Sequence, residues 1–537
     1  MPRMTGGEAV VQSLAAEGVK VIFGIPGTQG LSLFDALHEA PQIRRITARH
    51  EQGAAFMADG YARASGEIGV CTVPTGPGAL NTLAAMGTAY TDSVPVFNIF
   101  SQIPTSFIGR GKGFLHELRD QLGMFSEVAG WKATALNVLS IPWLVHAAMA
   151  QMRNGRPRPA ALEVPLDVLD STGDVSFLPP APRVRQAGAE EQVETAARLL
   201  LKASRPLIWA GGGAISSEAS AELIRLAETL QAPVYTTVNG RGAIPSDHPL
   251  CLGYLPLRHF VQEYIGQADL VLAVGARFSA PDTAQFALKL PGNLVQIDVD
   301  PTEIGKNYPV ASSVVGDAKT VLGQLNELVA PVAGLRPSRA AEVDALKARV
   351  CADLEARSEE AVRLANQIRG AVGRNGIIVS DVTILSYWGR TLFDVYEPRT
   401  YMYPWGFVTL GFGLPAAIGA KVAQPDRKVV AVCGDGGFLY TAMELATAMQ
   451  NGLNVVALVI NDNQYGILAP QQMKRFGRTT MIDLHNPDFV ALARSFGAHA
   501  EEVSSIDGVG QALAAAFAQD RPAVLELKTR LQHPFDW

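Results

Sequence analysis

Two polar turns in the last third of the chain carry residues that could bind a phosphate and a divalent cation. Residues 434–437 have the sequence Gly-Asp-Gly-Gly and follow the apolar run 429–433. Residues 461–466 have the sequence Asn-Asp-Asn-Gln-Tyr-Gly and follow another apolar run. Glycines let backbone N–H groups approach a phosphate, and the carboxylate of Asp435 is a hard oxygen ligand of the kind that Mg²⁺ prefers. A single Gly-Asp-Gly could be only a tight turn, but the second polar turn makes a ligand site the better interpretation.

A glutamate near the start of the chain is a candidate for proton transfer. Glu51 begins an Ala-rich helical pattern within the stretch 49–63. A carboxyl group can act as a general acid or base, but a glutamate at this place often serves only as a favourable charge at a helix N-terminus. The residues alone leave both alternatives open.

Strands that end in glycine turns must position these residues. Short β-branched runs alternate with longer Ala/Leu-rich amphipathic runs along the chain, which predicts an α/β protein with parallel sheets. Residues 19–24 form a predicted strand that enters the turn 25–28, and residues 429–433 form another that enters the turn at Asp435. A helix is expected over residues 441–450. This strand, turn, helix order places ligands at the carboxyl ends of strands.

Length and composition predict three domains. A chain of 537 residues is long enough for three or four domains that each bury a core. Pro and small residues interrupt the α/β rhythm near 171–190, and a second shift in composition falls at about 332–360. We therefore expect three doubly wound parallel-sheet domains, at residues 1–170, 190–335 and 360–537.

Charge and cysteine content narrow the class of protein. The net charge of −6 offers no basic patch for nucleic acid, and the hydrophobic and charged fractions of 48% and 18% are typical of a globular protein. The four cysteines include no CxxC pair, which favours a reducing cytoplasm over a disulfide framework or a zinc site. The N-terminus lacks the apolar core of a secretory signal, and no apolar run is long enough to span a membrane. We expect neither a nucleic-acid nor a membrane partner.

The two motifs together resemble those of thiamine-diphosphate (ThDP) dependent enzymes, and the chain from residue 6 to about 528 is similar to the acetolactate synthase large subunit. The resemblance implies a pyrimidine-binding domain, a central domain and a diphosphate-binding domain. It assigns to Glu51 the carboxyl group that shares a proton with the aminopyrimidine ring of ThDP and so activates the cofactor.

The resemblance also implies a Mg²⁺ site. The spacing from Asp435 to Asp462 is 462 − 435 = 27, which fits the family distance, so the implied ligands are Asp435, Asp462 and the carbonyl of Gln464. Asp462 stands where Asn is usual, and this leaves open whether Asp462 or Asn463 binds the metal.

Further residues are implied to contact ThDP. Leu410 corresponds to an apolar wedge between the two cofactor rings, which would hold the cofactor in its reactive bent shape; a buried core residue would look the same in sequence. The other implied contacts are Pro26, Gly27, Thr75, Asn81, Thr383, Thr409, Gly434, Gly436, Gly437, Tyr465, Gly466 and Ile467.

The chain departs from the acetolactate synthases in three places. Residues 113–121 contain His116 where the synthases have Phe-Gln-Glu, and a histidine can exchange protons near neutral pH. We predict that His116 is a pocket acid or base, with Glu117 and Gln121 as supporting partners; the alternative is a surface or interface histidine whose hydrogen bonds are satisfied. The Gln-His pair expected near residues 380–388 is absent, although Thr383 could still donate to the diphosphate.

The third departure concerns flavin. The central block resembles the domain that holds structural FAD in acetolactate synthase, but residues 252–257 replace the usual Gly-Met-His-Gly stretch. A glycine-rich turn is weak evidence by itself, so FAD is an open but disfavoured assignment.

The implied function is ThDP- and Mg²⁺-dependent decarboxylation of a small 2-oxo acid, with protonation or carboligation of the resulting enamine. The alternative is an acetolactate synthase catalytic subunit that condenses two pyruvates and carries structural FAD. A catalytically silent ThDP-fold protein is disfavoured because Glu51 and Asp435 are both present. In relatives the glutamate and the metal site meet across two chains, which implies a homodimer at least and allows a homotetramer. The tail 532–537 could cover the site.

Overall fold

The structure, a computed structural model, describes residues 2–535, so Asp536 and Trp537 of the predicted covering tail lie outside the described residues. Three six-stranded sheets follow one another along the chain, and every pair of neighbouring strands in them is parallel. Helices connect most of the strands. The predicted α/β class with three doubly wound parallel sheets is confirmed.

The first sheet lies between residues 21 and 165. Its strands are β2 (Val21–Gly24), β3 (Arg44–Thr47), β4 (Gly69–Val73), β5 (Val96–Gln102), β6 (Trp131–Thr134) and β7 (Ala160–Pro165), and β1 (Arg3–Thr5) pairs separately with β8 (Thr172–Asp174) in an antiparallel ribbon. The helices are α1 (Gly6–Ala16), α2 (Leu31–His38), α3 (Glu51–Ser65), α4 (Pro77–Asn81), α5 (Leu83–Asp92), α6 (Ile141–Arg153) and α7 (Leu166–Asp170).

The central sheet lies between residues 206 and 315. Its strands are β9 (Pro206–Ala210), β10 (Val234–Thr236), β11 (Cys251–Gly253), β12 (Leu270–Val274), β13 (Leu294–Asp298) and β14 (Ser312–Val315). The helices are α8 (Glu190–Lys202), α9 (Gly212–Ser216), α10 (Ser220–Leu230), α11 (His259–Gly266) and α12 (Ala318–Val329). Two helices, α13 (Ala340–Arg357) and α14 (Glu359–Val372), lead to the third sheet.

The third sheet lies between residues 377 and 528. Its strands are β15 (Ile377–Ser380), β16 (Tyr401–Met402), β17 (Val429–Gly434), β18 (Val456–Asn461), β19 (His499–Val503) and β20 (Ala523–Lys528). The helices are α15 (Ile384–Leu392), α16 (Gly413–Ala423), α17 (Asp435–Leu439), α18 (Glu444–Gln450), α19 (Leu468–Phe476), α20 (Phe489–Ser495) and α21 (Val509–Phe517).

The order of the strands defines one switch point in each sheet. The first sheet runs β3-β2-β4-β5-β7-β6 and the third runs β16-β15-β17-β18-β20-β19, which is the same order within each sheet. The central sheet runs β11-β10-β9-β12-β13-β14. In open α/β sheets, ligands bind beyond the carboxyl ends of the two strands where the order reverses. These pairs are β2 with β4, β9 with β12, and β15 with β17.

The first and third domains share a hydrophobic core within one chain. Helix α3 packs closely on α16, because a Cβ atom on Gly60 would lie 2.0 Å from the carbonyl oxygen of Ala416, and one on Gly419 would lie 1.9 Å from that of Met57. These two positions require glycine for the backbones to approach. None of the described helices is long and apolar enough to cross a membrane.

The helix predicted over residues 441–450 is shorter than expected. The chain forms α17 directly after β17, turns at residues 440–443, and starts α18 only at Glu444. The hydroxyl of Thr441 donates to the carbonyl of Gly411 at 3.1 Å, and this bond to a neighbouring loop accompanies the turn. A side chain that hydrogen-bonds a backbone carbonyl outside the helix competes with the helical hydrogen bonds. The sequence pattern of residues 441–450 gives no sign of such a long-range contact.

Candidate functional site

The two polar turns of the third domain lie side by side at the ends of β17 and β18. Gly434 ends β17 and Asp435 follows it, and Thr383 follows β15 on the other side of the switch point. A Cβ on Gly434 would lie 3.2 Å from the Thr383 hydroxyl, so the two turns are in close contact. The predicted residues of this sheet therefore meet where the fold places a ligand.

Two carboxylates face each other across these turns. Burial raises the pKa of Asp435. Burial and then the charge of Asp435 raise the pKa of Asp462 to about 6. The backbone N–H of Gln464 donates to Asp462 Oδ1 at 3.2 Å. A buried carboxylate and a half-buried one whose charge it disfavours are a fitting environment for a divalent cation.

The glycines of the two turns leave room for polar side chains. A Cβ on Gly436 would lie 2.7 Å from the ring of Tyr465, and one on Gly437 would lie 3.1 Å from Asp381 Oδ1. A Cβ on Gly466 would lie 2.5 Å from Asp462 Oδ2. The next predicted contact, Ile467, is half-buried against the hydrophobic core just before α19.

Asn486 is a residue of this site that the sequence analysis missed. Its side-chain nitrogen lies 2.6 Å from Asp435 Oδ2, 3.1 Å from Asn461 Oδ1 and 3.2 Å from Asn463 Oδ1. It follows a loop that leaves the site and returns, and no short motif marks it. Residues 2–535 contain no group of three or more His, Cys, Asp or Glu side chains that could hold a metal. The predicted ligand set instead combines two carboxylates with the backbone carbonyl of Gln464.

Glu51 is the first residue of α3, beyond the end of β3. Its Oε2 accepts a hydrogen bond from the side-chain amide of Asn81 at 2.9 Å. The N-cap residue His50 accepts from the backbone N–H of Gln52 at 3.1 Å. Within residues 2–535, no hydrogen bond joins the Glu51 carboxylate to either of the third-domain turns. In a single chain, Glu51 thus pairs with the first domain.

Glu444 anchors the segment that carries Glu51, and the sequence analysis missed it too. This fully buried carboxylate accepts from the backbone N–H groups of His50 at 3.0 Å and Arg49 at 3.2 Å, and from the hydroxyl of Thr447 at 2.6 Å. Burial raises the pKa of Glu444. A Cβ on Gly53 would lie 2.2 Å from its Oε1, so a glycine is needed there. A lone glutamate in a helical pattern gives no sign of such a contact.

The turns after β2 and β4 pack together at the switch point of the first sheet. A Cβ on Gly27 would lie 2.3 Å from Pro74 Cβ, whereas the neighbouring Pro26 is exposed. The Thr75 hydroxyl lies 2.9 Å from that of Ser101 and is buried. The predicted contacts Pro26, Gly27 and Thr75 are thus close together.

His116 lies against the turn that follows β4. A Cβ on Gly76 would lie 2.9 Å from His116 Cβ, and one on Gly78 would lie 3.3 Å from Glu51 Oε1. His116 has a φ of 68°, an uncommon conformation for a residue with a side chain, and such residues cluster at functional sites. Its Nδ1 is buried without a hydrogen-bond partner in the described part of the chain. The short Gly76–Gly78 turn therefore separates His116 from Glu51.

The predicted partners of His116 have other roles. Glu117 accepts backbone N–H bonds from Gly111, Gly113 and Phe114, and these bonds, that of Phe114 first, lower the pKa of Glu117. The expectation that Glu117 supports His116 is therefore wrong in this structure, because the carboxylate bonds the backbone of its own loop, residues 111–114. Gln121 does reach the site, although it bonds the Gly76 N–H at 2.5 Å rather than His116.

The loop before α16 is attached to the first domain of the same chain. Asp92 accepts from the backbone N–H groups of Trp405 at 3.0 Å and Gly406 at 2.8 Å. The hydroxyl of Thr409 lies 2.5 Å from that of Thr88. The next residue, Leu410, is half-buried, which leaves part of the predicted wedge accessible.

A cavity lies at the switch point of the central sheet. Its walls include the glycine turn 211–213 after β9, the turn 275–277 after β12 and Asp298 at the end of β13. Burial raises the pKa of Asp298 to about 6. Residues 252–257 form the end of β11 and the loop after it, and they do not line this cavity.

The parallel sheets and the polar turns at their switch points define a class: a multidomain α/β protein with ligand sites at the carboxyl ends of its strands. Residues 4–124 match the family model of the thiamine pyrophosphate enzyme N-terminal TPP binding domain, residues 193–325 that of the central domain, and residues 381–527 that of the C-terminal TPP binding domain. Thiamine pyrophosphate is another name for ThDP. The chain belongs to the thiamine pyrophosphate enzyme family.

Several curated relatives match this chain almost from end to end. A probable 2-ketoarginine decarboxylase of Pseudomonas aeruginosa is 38% identical and covers 98% of this chain and 94% of its own length. A probable acetolactate synthase large subunit of Methanocaldococcus jannaschii is 36% identical, over 98% of this chain and 92% of its own length. The acetolactate synthase isozyme 3 large subunit of Escherichia coli is 32% identical, over 97% and 93%.

Proposed function

We propose that this protein decarboxylates a 2-oxo acid with ThDP and Mg²⁺, and that the carbon which loses CO₂ is then protonated or joined to a second carbonyl compound. The observation that carries the proposal is the pair of carboxylates at the carboxyl ends of β17 and β18. Asp435 is buried and Asp462 half-buried, and burial raises the pKa of both, in the domain that matches the TPP binding family.

The third-domain turns would hold the diphosphate end of the cofactor. Asp435, Asp462 and the Gln464 carbonyl would bind Mg²⁺, because hard oxygen ligands suit this cation. Thr383 and the N–H groups of the 434–437 turn would face the phosphates. The contact between the Gly434 and Thr383 turns and the raised pKa of Asp462 support this arrangement.

Glu51 would act at the other end of the cofactor. ThDP supplies a carbon nucleophile and an electron sink for decarboxylation when it is bound. Glu51 would exchange a proton with the ring nitrogen of the aminopyrimidine, and Asn81 would hold the carboxylate in place. Thr409 and Leu410 would fix the shape of the cofactor from a loop that Asp92 holds.

We propose that a dimer is the smallest active unit. Within one chain, Glu51 bonds Asn81 and its helix is anchored by Glu444, and the carboxylate makes no hydrogen bond to the metal turns in the described residues. A site that joins Glu51 of one chain to Asp435 of another would follow from C2 symmetry and would occur twice. A tetramer built from two such dimers is compatible with this proposal.

His116 would decide the fate of the reacting carbon. Its strained backbone and its buried, unpartnered Nδ1 lie one turn away from Glu51. A histidine can donate a proton near neutral pH, which would favour a decarboxylated product over carboligation.

Substrate identity is tested with a panel of 2-oxo acids. The panel contains pyruvate, 2-ketoarginine and apolar 2-oxo acids, each incubated with ThDP and Mg²⁺ and followed by product identification. The proposal expects CO₂ release that depends on both additions. Rapid acetolactate formation from pyruvate by a yellow, flavin-loaded protein would favour the second candidate, an acetolactate synthase, which the names of several relatives suggest.

FAD is not part of the proposal. The central cavity has glycine turns and Asp298 on its walls, and these features suit many ligands. We place the protein in the cytoplasm, because its cysteines at positions 71, 251, 351 and 433 are free thiols and three of them are buried.

A further inference from the structure

The side chain of Asn486 joins the two turns of the proposed metal site. Its Nδ2 lies 2.6 Å from Asp435 Oδ2 on the turn after β17. The same nitrogen lies 3.1 Å from Asn461 Oδ1 and 3.2 Å from Asn463 Oδ1 on the turn after β18. One amide nitrogen thus bridges a carboxylate and two side-chain carbonyls from neighbouring strands.

The surroundings determine which atom of the Asn486 amide faces the turns. Asn461 donates its own Nδ2 to Glu526 Oε1 at 2.7 Å and accepts the Asn463 N–H on its Oδ1 at 3.1 Å, so its oxygen is the atom directed to Asn486. Asp435 offers only acceptors when ionised. The Asn486 nitrogen is therefore the donor, and its two hydrogens are shared among the side-chain oxygens of Asp435, Asn461 and Asn463.

The chain around Asn486 is held on one side by the turn after β18 and on the other by α20. Residues 463–465 pair with residues 482–484 through the Leu484 N–H to Asn463 O bond and the Tyr465 N–H to Ile482 O bond, both 2.8 Å. Asn486 then precedes Pro487, which favours an extended backbone. On its far side, Asp488 caps α20 by accepting from the Ala491 N–H at 2.8 Å. Asn486 thus lies in a short segment that is fixed at one end by the pairing of residues 463–465 with residues 482–484 and at the other by α20.

We infer that Asn486 is a positioning residue for the divalent cation: it sets the distance between the Asp435 turn and the 461–463 turn, so that the ligands of both turns face one ion. The inference rests on the proposed function, which places Mg²⁺ between these turns. Residues that hydrogen-bond metal ligands orient them, and their loss typically lowers metal affinity about 10–100-fold. Asn486 bonds one proposed ligand directly and the neighbours of another.

The test is a titration with Mn²⁺ in the presence of saturating ThDP, in which the electron paramagnetic resonance signal reports free metal. Asn486→Ala and Asn486→Ser are compared with the wild-type protein and with Asn451→Ala. Asn451 is a matched control because its amide makes a single bond, to the Thr447 carbonyl at 2.8 Å, away from the turns. The kcat at saturating Mn²⁺ is measured for each variant.

We expect both Asn486 variants to bind Mn²⁺ about 10–100-fold more weakly, while Asn451→Ala binds like the wild type. Saturating Mn²⁺ should return kcat of the Asn486 variants to near the wild-type value, because the ligands themselves remain. Wild-type affinity in a folded Asn486 variant, or equal weakening in Asn451→Ala, would overturn the inference. If Asn486→Ala does not fold, Asn486→Ser decides by the same criterion. Failure of the wild-type protein to bind Mn²⁺ would contradict the proposed function instead.

Discussion

The side-chain amide of Asn81 donates a hydrogen bond to Glu51 Oε2 across 2.9 Å and so links α4, which follows the β4 turn, to the N-terminus of α3. The partner of this carboxylate is a neutral group and not a cation. A neutral donor orients a carboxylate without forming an ion pair that would hold its charge in place. Asn81 thus fixes the position of the Glu51 carboxylate within the first domain.

Asn81→Ala should lower kcat about tenfold or more, because a hydrogen bond to a charged group contributes about 1.5–3 kcal/mol. Asn293→Ala is the matched control, since its amide bonds the Asp269 carbonyl at 3.1 Å in the central domain. Steady-state kinetics on the preferred 2-oxo acid would measure the change. An unaltered kcat in Asn81→Ala would show that the bond has no part in catalysis.

The choice between Asp462 and Asn463 as metal ligand can be made with two variants. Asp462→Ala should weaken Mg²⁺-dependent ThDP binding about 10-fold or more, because it removes a proposed ligand. Asn463→Gly should weaken it less, because it removes only a hydrogen bond to Asn486. Glycine is the right replacement because Asn463 has a φ of 53°, which alanine would adopt only with strain. Calorimetric titration of ThDP at several Mg²⁺ concentrations gives both affinities. The larger loss in Asn463→Gly would transfer the ligand role to Asn463.

His116→Gln should form the simple decarboxylation product at least about 10-fold more slowly, because the variant lacks the proposed proton donor. The share of carboligation products should rise accordingly. His259→Gln is the control, since His259 is a solvent-exposed residue on α11. Product ratios in the presence of an added aldehyde acceptor measure the partition. The same ratio in both variants would remove His116 from the proton transfer.

The shared site can be tested with hybrid dimers. Glu51→Gln and Asp435→Ala should each be inactive alone. A purified hybrid of the two, isolated with different tags, should have about half of the wild-type activity per dimer, because one of its two sites receives an intact Glu51 and an intact Asp435 from different chains. An inactive hybrid would indicate that each chain builds its own site.

The sequence predicted the parts of the site that depend on local pattern. Glycines after buried β-branched strands predicted the turns at Gly27 and Gly434, and the resemblance to ThDP enzymes implied the pair Asp435 and Asp462. The parallel sheets followed from the alternation of strand and helix patterns. The boundaries at 170, 190, 335 and 360 stay predictions.

Residues that act through long-range contacts could not be predicted. Glu444 contacts the backbone of His50 from another domain, and Asn486 meets Asp435 only after the chain has left and re-entered the site. Neither contact leaves a periodicity or a spacing in the sequence. Glu117 is predicted from the resemblance to support His116, but its carboxylate accepts the backbone N–H groups of its own loop.

The most direct test of the account is the exchange of the C2 proton of bound ThDP in deuterated water, measured by rapid quench and NMR with Mg²⁺ present. Bound to the wild-type protein, the cofactor should exchange this proton far faster than free ThDP. In Glu51→Gln the acceleration should fall by about 10²–10⁴-fold while ThDP remains bound. Exchange at the rate of free ThDP in the wild-type protein, or undiminished exchange in Glu51→Gln, would contradict the role assigned to Glu51.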